Sequence, residues 1–357
     1  MDLSKAGLLS FDEGYFERIW GGRKLESIYG KPLPARKPIG ETWLVSDHPQ
    51  HTSIVRDGPF EGYSLRELLE SAPREVLGTR PKPARRGLFP LLLKLLDSSD
   101  YLSIQVHPND LQAERLGEPD GGKSEMWHVL SSAESSELIC GLADGVTEEQ
   151  FHNAIKNGSA GDLLRHLNVS PGTSVFVPAG TVHAIGKDIV LAEIQQNSDV
   201  TYRVYDWGRV QPDGTARELH VEKSLEVSAF GTTHPGAAKP LGRREADAEW
   251  SVLAACEFFA ADRIALDGVF QRDTRQESFH LLLCVDGELT VTAESAGRLA
   301  LPGDAAMVLG ASGRYSVEGS GAFLDYYVPN IRDDIIDPLT NVGHGPNAIA
   351  SLGIGAW

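Results

Sequence analysis

The chain has 357 residues, of which 41% are hydrophobic and 23% charged, and its formal net charge is −17 at pH 7. A chain of this length can bury a large core, suggests two domains, and contains no apolar run of about 18 residues that would span a membrane. Such an acidic protein repels nucleic acids and anionic membranes, and a small anionic ligand would need a local cluster of Lys and Arg.

The N-terminus and the cysteines both favour a cytoplasmic protein. The opening "MDLSKAGLLSFDEGYF" carries acids where a signal peptide needs a basic region followed by a long apolar core. Cys140, Cys256 and Cys284 are widely spaced and form no CxxC motif. This usage is typical of a reducing compartment and argues against disulfides or a cysteine metal site.

Short strands account for most of the predicted structure. Runs such as "TSIVRDG", "SVFVPAG" and "LLLCVDGELTVTA" are punctuated by Gly and Pro, which indicates an all-β barrel or sandwich rather than alternating βα units. Helical spacing occurs at 63–78 and again at 146–168. The second segment opens with a Thr147–Gln150 capping-box spacing and predicts two short helices broken at "NGSAG", as an insertion in a β scaffold.

One strand, "LSIQVHP" at 102–108, carries an unusual polar face. Apolar and polar residues alternate, so Ser103, Gln105 and His107 share one side of a strand. A solvated surface strand is the plain interpretation of such a stretch alone. A hydroxyl, an amide and an imidazole on one face are also what a binding site would require.

Further potential metal ligands follow along the chain. In "GKSEMWHVL" Lys123, Glu125 and Trp127 share a face, and His183 comes just after a Pro-x-Gly turn. Together with Gln105 and His107, Glu125 and His183 form a set of two imidazoles, an amide oxygen and a carboxylate. Zinc suits this set, with a coordination position left open for water or substrate.

A second polar strand lies in "EIQQNSDVTYRVYDWGR" at 193–209. Glu193 and Gln195 share one face, and alternation predicts a common face for a further four residues, Asp199, Thr201, Arg203 and Tyr205. This polar face is too rich for an ordinary solvated strand.

The composition shifts at 230–250, which is rich in Gly, Pro, Thr and Ala and lacks an apolar period. We predict a catalytic, metal-binding domain at 1–240 and a smaller β-barrel domain at 241–357 without a metal site. No Gln-x-His or His-x-His pair occurs after residue 240, and the lone His220 and His280 are interpreted as structural. The tail from about residue 337 has no clear period and is left unassigned.

These blocks resemble the signature motifs of the type I mannose-6-phosphate isomerases, closest to the short bacterial form, within the cupin superfamily. The resemblance rests on "FPLLLKLLDSSDYLSIQVHPND", "GKSEMWHVL", "VPAGTVHAIG" and "EIQQNSDVTYRVYDWGR", in family order, and covers about 8–230. Near the N-terminus, "RIWGGRKL" and "KPIGETWLVSDHP" resemble the opening blocks of the family. It implies a mainly β fold, with a jelly-roll cupin catalytic domain, a short helical insertion and a smaller C-terminal cupin-like barrel.

The resemblance also implies roles for individual residues. It implies one Zn²⁺ per chain on four ligands, Arg203 as the catalytic arginine, and a phosphate contact by three further residues. The ligands are Gln105, His107, Glu125 and His183; the phosphate residues are Ser103, Lys94 and Lys123; Asp199 also lies in a family motif.

The implied reaction interconverts mannose 6-phosphate and fructose 6-phosphate through a metal-stabilised cis-enediol. The base stays open between Lys123, Glu193 and Asp199, and Glu193 could equally be a partner of a metal-bound histidine. A different metal cupin, such as an oxygenase or a cupin-type glucose-6-phosphate isomerase, would favour a His-rich ligand set. A non-catalytic sugar-binding module would be expected to have lost a ligand or Arg203. The sequence leaves the oligomeric state open between monomer and homodimer.

Overall fold

The structure is a computed structural model that describes residues 3, 6–211, 213–231, 236–245, 248–294 and 296–354, without the side chains of 244 and 245. Its strands are β1 (Leu8–Leu9), β2 (Gly14–Gly22), β3 (Ile39–Val45), β4 (Asp47–His48), β5 (His51–Thr52), β6 (Leu91–Ser98), β7 (Ile104–Val106), β8 (Glu125–Ser132), β9 (Glu137–Leu142), β10 (Leu164–Asn168), β11 (Ser174–Val177), β12 (His183–Ile185), β13 (Ile189–Gln196), β14 (Tyr202–Tyr205), β15 (Leu241–Glu245), β16 (Ala248–Ala255), β17 (Ala260–Asp273), β18 (His280–Ala293), β19 (Ala296–Ala300), β20 (Ala305–Val308) and β21 (Arg314–Tyr327).

Helices are short and few of them exceed two turns. They are α1 (Lys24–Tyr29), α2 (Leu65–Ser71), α3 (Pro73–Leu77), α4 (Asp110–Arg115), α5 (Glu148–Asn157), α6 (Val221–Val227), α7 (Asp337–Asn341) and α8 (Pro346–Ile349). No helix in the described part of the chain is long and apolar enough to cross a membrane.

The chain divides into two compact units that interleave along the sequence. Unit I comprises 15–42 and 94–237, and unit II comprises 1–14, 43–93 and 238–357. Residues 1–14 and 43–93 therefore pack with the C-terminal part, so the bounds differ from a linear division at residue 240. Parts of the predicted boundary, 232–235 and 246–247, lie outside the described residues.

Unit I contains all of one sheet and most of a second. One has the order β10-β9-β12-β7-β14, and the other has the order β11-β8-β13-β6-β2-β3. Its apolar side chains form two buried clusters, one around Ile104, Val106 and Phe151 and the other around Leu102 and Trp127. The apolar face of the 102–108 strand is thus buried, as its alternation predicts.

The predicted helical insertion is partly right. The helix α5 begins at a capping box in which Thr147 accepts from the backbone N–H of Gln150, and it ends at Gly158 in the left-handed region. The second predicted helix is wrong, because Ala160–Leu163 forms one 3₁₀ turn and Leu164–Asn168 is the strand β10. Strand β10 pairs with β9, so a long-range ladder outweighs the local helical spacing.

Unit II contains an eight-stranded sheet with the order β1-β20-β18-β21-β17-β16-β15, in which β19 also pairs with β18. The long strands β17 and β21 pair from Ala260↔Tyr327 to Asp273↔Arg314. The described part of the unassigned tail, 337–354, is mostly helical, with α7, α8 and a π-type turn at Ala350–Ile354, and a further π-type turn at Ile331–Ile336 precedes it. Its apolar side chains pack into a cluster with Leu241 and Val252.

Candidate active site

The strand β7 brings the predicted ligands and the predicted catalytic arginine together. It lies between β12 and β14, and Gln105 is the register partner of His183 on one side and of Arg203 on the other. Residues opposite each other in an antiparallel pair point to the same face of the sheet. His107 follows β7 directly, so four of the predicted residues converge on one face through strand register alone.

Three of the predicted metal ligands form a buried cluster. The ligand atoms of His107, Glu125 and His183 lie within 4.8 Å of one another. Each side chain is at most 1% exposed. Among the described residues, this is the one group of three or more His, Cys, Asp and Glu side chains that meets this criterion.

The imidazoles present lone pairs to the carboxylate. Nδ1 of His107 lies 2.8 Å from the carbonyl oxygen of Val200, and Nδ1 of His183 lies 2.8 Å from that of Thr181. A carbonyl only accepts hydrogen bonds, so both Nδ1 atoms carry the proton and both Nε2 atoms face Glu125 without one. Burial lowers the pKa of His183 to about 4. Burial, with the charge of Lys123, lowers the pKa of His107 well below its usual range.

This arrangement fits a cation. Nε2 of His183 lies 3.3 Å from Oε1 of Glu125, and Nε2 of His107 lies 3.6 Å from Oε2. Nε2 of His107 and Oε1 of Glu125 are buried without a hydrogen-bond partner among the described residues. Lone pairs facing a carboxylate repel each other unless a positive ion lies between them, so the residues present suit a divalent metal ion.

Gln105 and a tight turn complete the cluster. The amide Nε2 of Gln105 lies 3.2 Å from Nε2 of His183, and turning the amide by 180° would direct Oε1 to that position. His183 is positioned by the turn at Pro178–Gly180, where Gly180 has a φ of 86° that disfavours other residues. The N–H of Gly180 donates to the carbonyl of His107, which ties the two histidine segments together.

A cavity of about 410 Å³ lies in unit I beside this cluster. The predicted site residues Ser103, Gln105, Lys94, Lys123, Glu193, Asp199 and Arg203 all line it. The polar faces predicted for the strand at 102–108 and for Asp199, Thr201 and Arg203 therefore do meet at one cavity.

Lys123 is held as a cation. Its Nζ lies 2.9 Å from Oε2 of Glu125, and the side chain is 6% exposed. Burial disfavours the charged amine, but Glu125 and Glu193 outweigh burial and raise the pKa of Lys123. The two glutamates therefore favour the ammonium form of Lys123, which donates hydrogen bonds.

Glu193 is oriented by two fixed neighbours. Its Oε1 lies 3.3 Å from Nζ of Lys94, and its Oε2 accepts a hydrogen bond of 3.1 Å from the indole N–H of Trp127. Burial raises the pKa of Glu193, while the charge of Lys94 opposes that rise. Lys94 also lies 3.8 Å from Glu41, so two carboxylates flank this lysine.

Arg203 is held by backbone rather than by a carboxylate. Its Nη1 donates to the carbonyl of Glu218 at 2.8 Å, while Asp206 accepts from Arg209 at 2.6 Å and from Arg217 at 2.7 Å. The prediction that Tyr205 shares the face of Arg203 is wrong. A bulge lies between them, so Tyr205 turns to the apolar cluster of Ile104, its register partner.

Three charged residues of the cavity were not predicted as site residues. Arg18 and Glu41 form an ion pair of 2.7 Å, and Arg217 joins them in the lining. Arg18 and Glu41 lie in or beside the blocks "RIWGGRKL" and "KPIGETWLVSDHP", so a signal existed for that pair. Arg217 lies outside every motif, and only the fold brings it to the cavity.

Two family models match the chain. The catalytic domain of type I phosphomannose isomerase matches residues 8–130, and the mannose-6-phosphate isomerase cupin domain matches residues 250–328. The sheets of both units, together with the matched cupin domain, confirm the predicted mainly β cupin fold.

Individual relatives belong to the same family as the two matching models. The chain is 37% identical to a mannose-6-phosphate isomerase of Streptococcus mutans over 78% of this chain and 85% of that protein. It is 36% identical to the isomerase ManA of Bacillus subtilis over 78% of this chain and 86% of that protein. The crystal structure of mannose 6-phosphate isomerase from Bacillus subtilis superposes with a TM-score of 0.82 at 30% identity, covering 90% of this chain and 99% of that one.

Proposed function

The chain belongs to the type I mannose-6-phosphate isomerases, and we propose that the unit I cavity interconverts mannose 6-phosphate and fructose 6-phosphate on one Zn²⁺. The observation that carries this assignment is the pair of imidazole lone pairs facing Glu125 next to a cavity lined by Lys and Arg. Two imidazoles with carboxylate and amide oxygens make a donor set that suits zinc. We also propose a cytoplasmic location, because Cys140, Cys256 and Cys284 are free thiols.

Four residues would hold the ion, namely Gln105, His107, Glu125 and His183. When bound, the ion supplies positive charge close to where negative charge develops on the sugar oxygens. The protein contributes the orientation of its ligands, since each histidine is fixed by a carbonyl and Glu125 by Lys123.

The isomerisation moves hydrogen between C1 and C2 of the open-chain sugar. A base removes the C2 proton of mannose 6-phosphate while the C1 carbonyl oxygen gains a proton, which gives an enediol. Returning a proton to C1 as the C2 hydroxyl loses its proton yields the ketose. Arg203 is well suited to hold the sugar oxygens during this exchange, because its planar fork can donate two parallel hydrogen bonds.

We assign the base to Glu193. We place Lys123 beside the ligand Glu125, at 2.9 Å, as an ammonium partner of that carboxylate, and this leaves Glu193 and Asp199 as candidates. Glu193 has a raised pKa, which brings a carboxylate closer to the operating pH of a general base, and its two oxygens are fixed by Lys94 and Trp127. The phosphate would meet Ser103 and the surrounding cationic side chains.

A coupled assay tests the function directly. The purified protein should convert mannose 6-phosphate, lose activity with a chelator and regain it with Zn²⁺, while free mannose should be a far poorer substrate. Charge-assisted contacts to phosphate contribute roughly 1.5–3 kcal/mol each, so kcat/KM should differ by more than about tenfold. Equal kcat/KM for the two sugars, or full activity after metal removal, would refute the assignment.

Exchange of substrate hydrogen with solvent tests which carboxylate, Glu193 or Asp199, is the base. In D₂O, Glu193→Gln should abolish deuterium incorporation at C1 and C2, whereas Asp199→Asn should retain it at a reduced rate. The opposite pattern would make Asp199 the base.

A further inference from the structure

Unit II contains a second cavity, of about 410 Å³, that lies outside the site described above. It is lined by strands β17, β18 and β21 together with residues near Arg80 and Asp334. Small-molecule sites typically measure about 300–1,000 Å³ and combine concave shape with a few converging polar groups. The cavity meets the size criterion, and its polar groups are unusually numerous.

A buried charged network forms its floor. Arg272, whose side chain is 13% exposed, lies 2.9 Å from Asp325 and 3.5 Å from Asp262, both fully buried. His280 contacts Asp325 at 3.0 Å, and the hydroxyl of Tyr327 donates to Asp262 at 3.1 Å. Packed apolar residues would commonly be as stable as such a network or more so, which points to a role for the network beyond folding.

Aromatic rings fix the guanidinium groups of this floor. The Arg243 guanidinium lies 3.3 Å and that of Arg272 4.3 Å from the ring centroid of Trp250. The ring of Tyr327 stacks on His280 at 5.2 Å. Cation–π contacts hold the arginines in place before any ligand arrives, which lowers the entropy lost on binding.

The rim consists of matched ion pairs. Arg80 lies 2.5 Å from Glu277 and 2.7 Å from Asp334, and Arg275 also pairs with both carboxylates. Each pair presents donors and acceptors side by side rather than a surplus of one charge.

Charge decides which ligand fits. Among the described residues, the lining contains five arginines and four carboxylates. Two further carboxylates, those of Asp262 and Asp325, lie buried behind Arg272. The cavity and these two residues therefore carry one net negative charge. A phosphate dianion would not be attracted to such a cavity. An uncharged molecule with many hydroxyl groups can satisfy paired donors and acceptors at once, because every hydroxyl both donates and accepts.

We propose that the unit II cavity binds a neutral saccharide, either a free monosaccharide or a short oligosaccharide, as a site distinct from the isomerase cavity. The proposal concerns binding alone and requires no chemical step.

Hydrogen exchange of the full-length protein, followed by mass spectrometry, tests the site. D-mannose, D-fructose and mannobiose at millimolar concentration should slow exchange in peptides covering 271–280 and 328–334, and isothermal titration should give a saturable curve. Arg243→Ala should weaken this binding about tenfold or more, because it removes a preorganised charged donor. The matched control Arg263→Ala changes an arginine of the same unit that lies on β17 and outside the lining, and it should bind as the parent does.

A second variant, an activity assay and two anionic ligands complete the test. Should Arg243→Ala fold poorly, Gln271→Trp fills the cavity from an exposed position and should abolish protection. Arg243→Ala should keep kcat/KM for mannose 6-phosphate, so a failed isomerase assignment and a failed saccharide site are told apart. Absence of protection by every neutral sugar would overturn the proposal. Stronger protection by inorganic phosphate or mannose 6-phosphate would overturn it too, as would unchanged binding in Arg243→Ala.

Discussion

The unit I and unit II cavities have the same volume, about 410 Å³, and among the described residues each is lined by five cationic side chains, yet their electrostatics differ. In unit I, the five cations face three lining carboxylates and two more behind them, Glu125 and Asp206, before any metal ion is counted. A divalent ion would make that cavity positive by two charges, whereas the unit II cavity carries one net negative charge. The number of Lys and Arg residues therefore says little about the ligand, and their neutralising partners decide it.

The largest expected effect is on the metal cluster of unit I. His107→Ala removes a buried ligand, so the protein should lose bound metal and kcat should fall by more than about 10³-fold. Metal analysis and the coupled assay measure both. His166→Ala, on the surface of the same unit, serves as the control and should keep both properties. Full metal occupancy in His107→Ala would contradict the proposed ligand set, and with it the charge difference between the two cavities that depends on a metal ion in unit I.

Arg272 should matter for stability in unit II. Arg272→Ala leaves Asp262 and Asp325 buried without their cation, and breaking a buried pair in this way costs about 3–5 kcal/mol. Denaturant unfolding measures the loss. Arg314, which is 89% exposed at the same cavity, provides the comparison, and Arg314→Ala should change the free energy of unfolding by less than about 0.5 kcal/mol. Equal effects would mean that the buried network does not anchor unit II.

Arg203 should show the opposite behaviour, since it affects the reaction and not the fold. Arg203→Ala should lower kcat by about 10²–10³, the range for losing one preorganised donor, with metal content and unfolding unchanged. Arg203→Lys should restore little, because an ammonium cannot reproduce the fork. Arg115→Ala, an exposed change in unit I, is the control. A rise in KM at constant kcat would show that Arg203 binds only the ground state.

The smallest expected effect is a dependence of stability on pH, caused by Asp262 at the floor of the unit II cavity. Burial raises the pKa of Asp262 from 3.8 to about 6, against the attraction of Arg272. The folded state thus holds this proton more tightly than the unfolded chain, so the stability Asp262 contributes is present below pH 4 and lost as pH rises to 6. Relative to Asp262→Asn, the free energy of unfolding should fall by at most about 1.4 kcal/mol per pH unit in that window. A difference independent of pH would contradict the raised pKa.

Local alternation was sufficient to predict many of the side chains that line the unit I cavity. Gln105 and His107 are two residues apart on one strand, and a period of two is a property of the backbone that no tertiary contact needs to supply. The same rule failed at Tyr205, because a bulge shifts the register after Arg203. The helical spacing at 164–168 failed for a related reason, since pairing with β9 outweighs local propensity.

The sequence by itself determined the fold class, the family and the identities of the residues that converge in unit I. Those properties depend on residue type, short spacing and motif order, which are all local along the chain. Only the tertiary structure decided that 1–14 and 43–93 pack with the C-terminal unit, that Arg217 reaches the unit I cavity, and that the unit II arginines are neutralised. These outcomes depend on which residues, separated by tens to hundreds of positions, become neighbours, and neither periodicity nor composition encodes those partners.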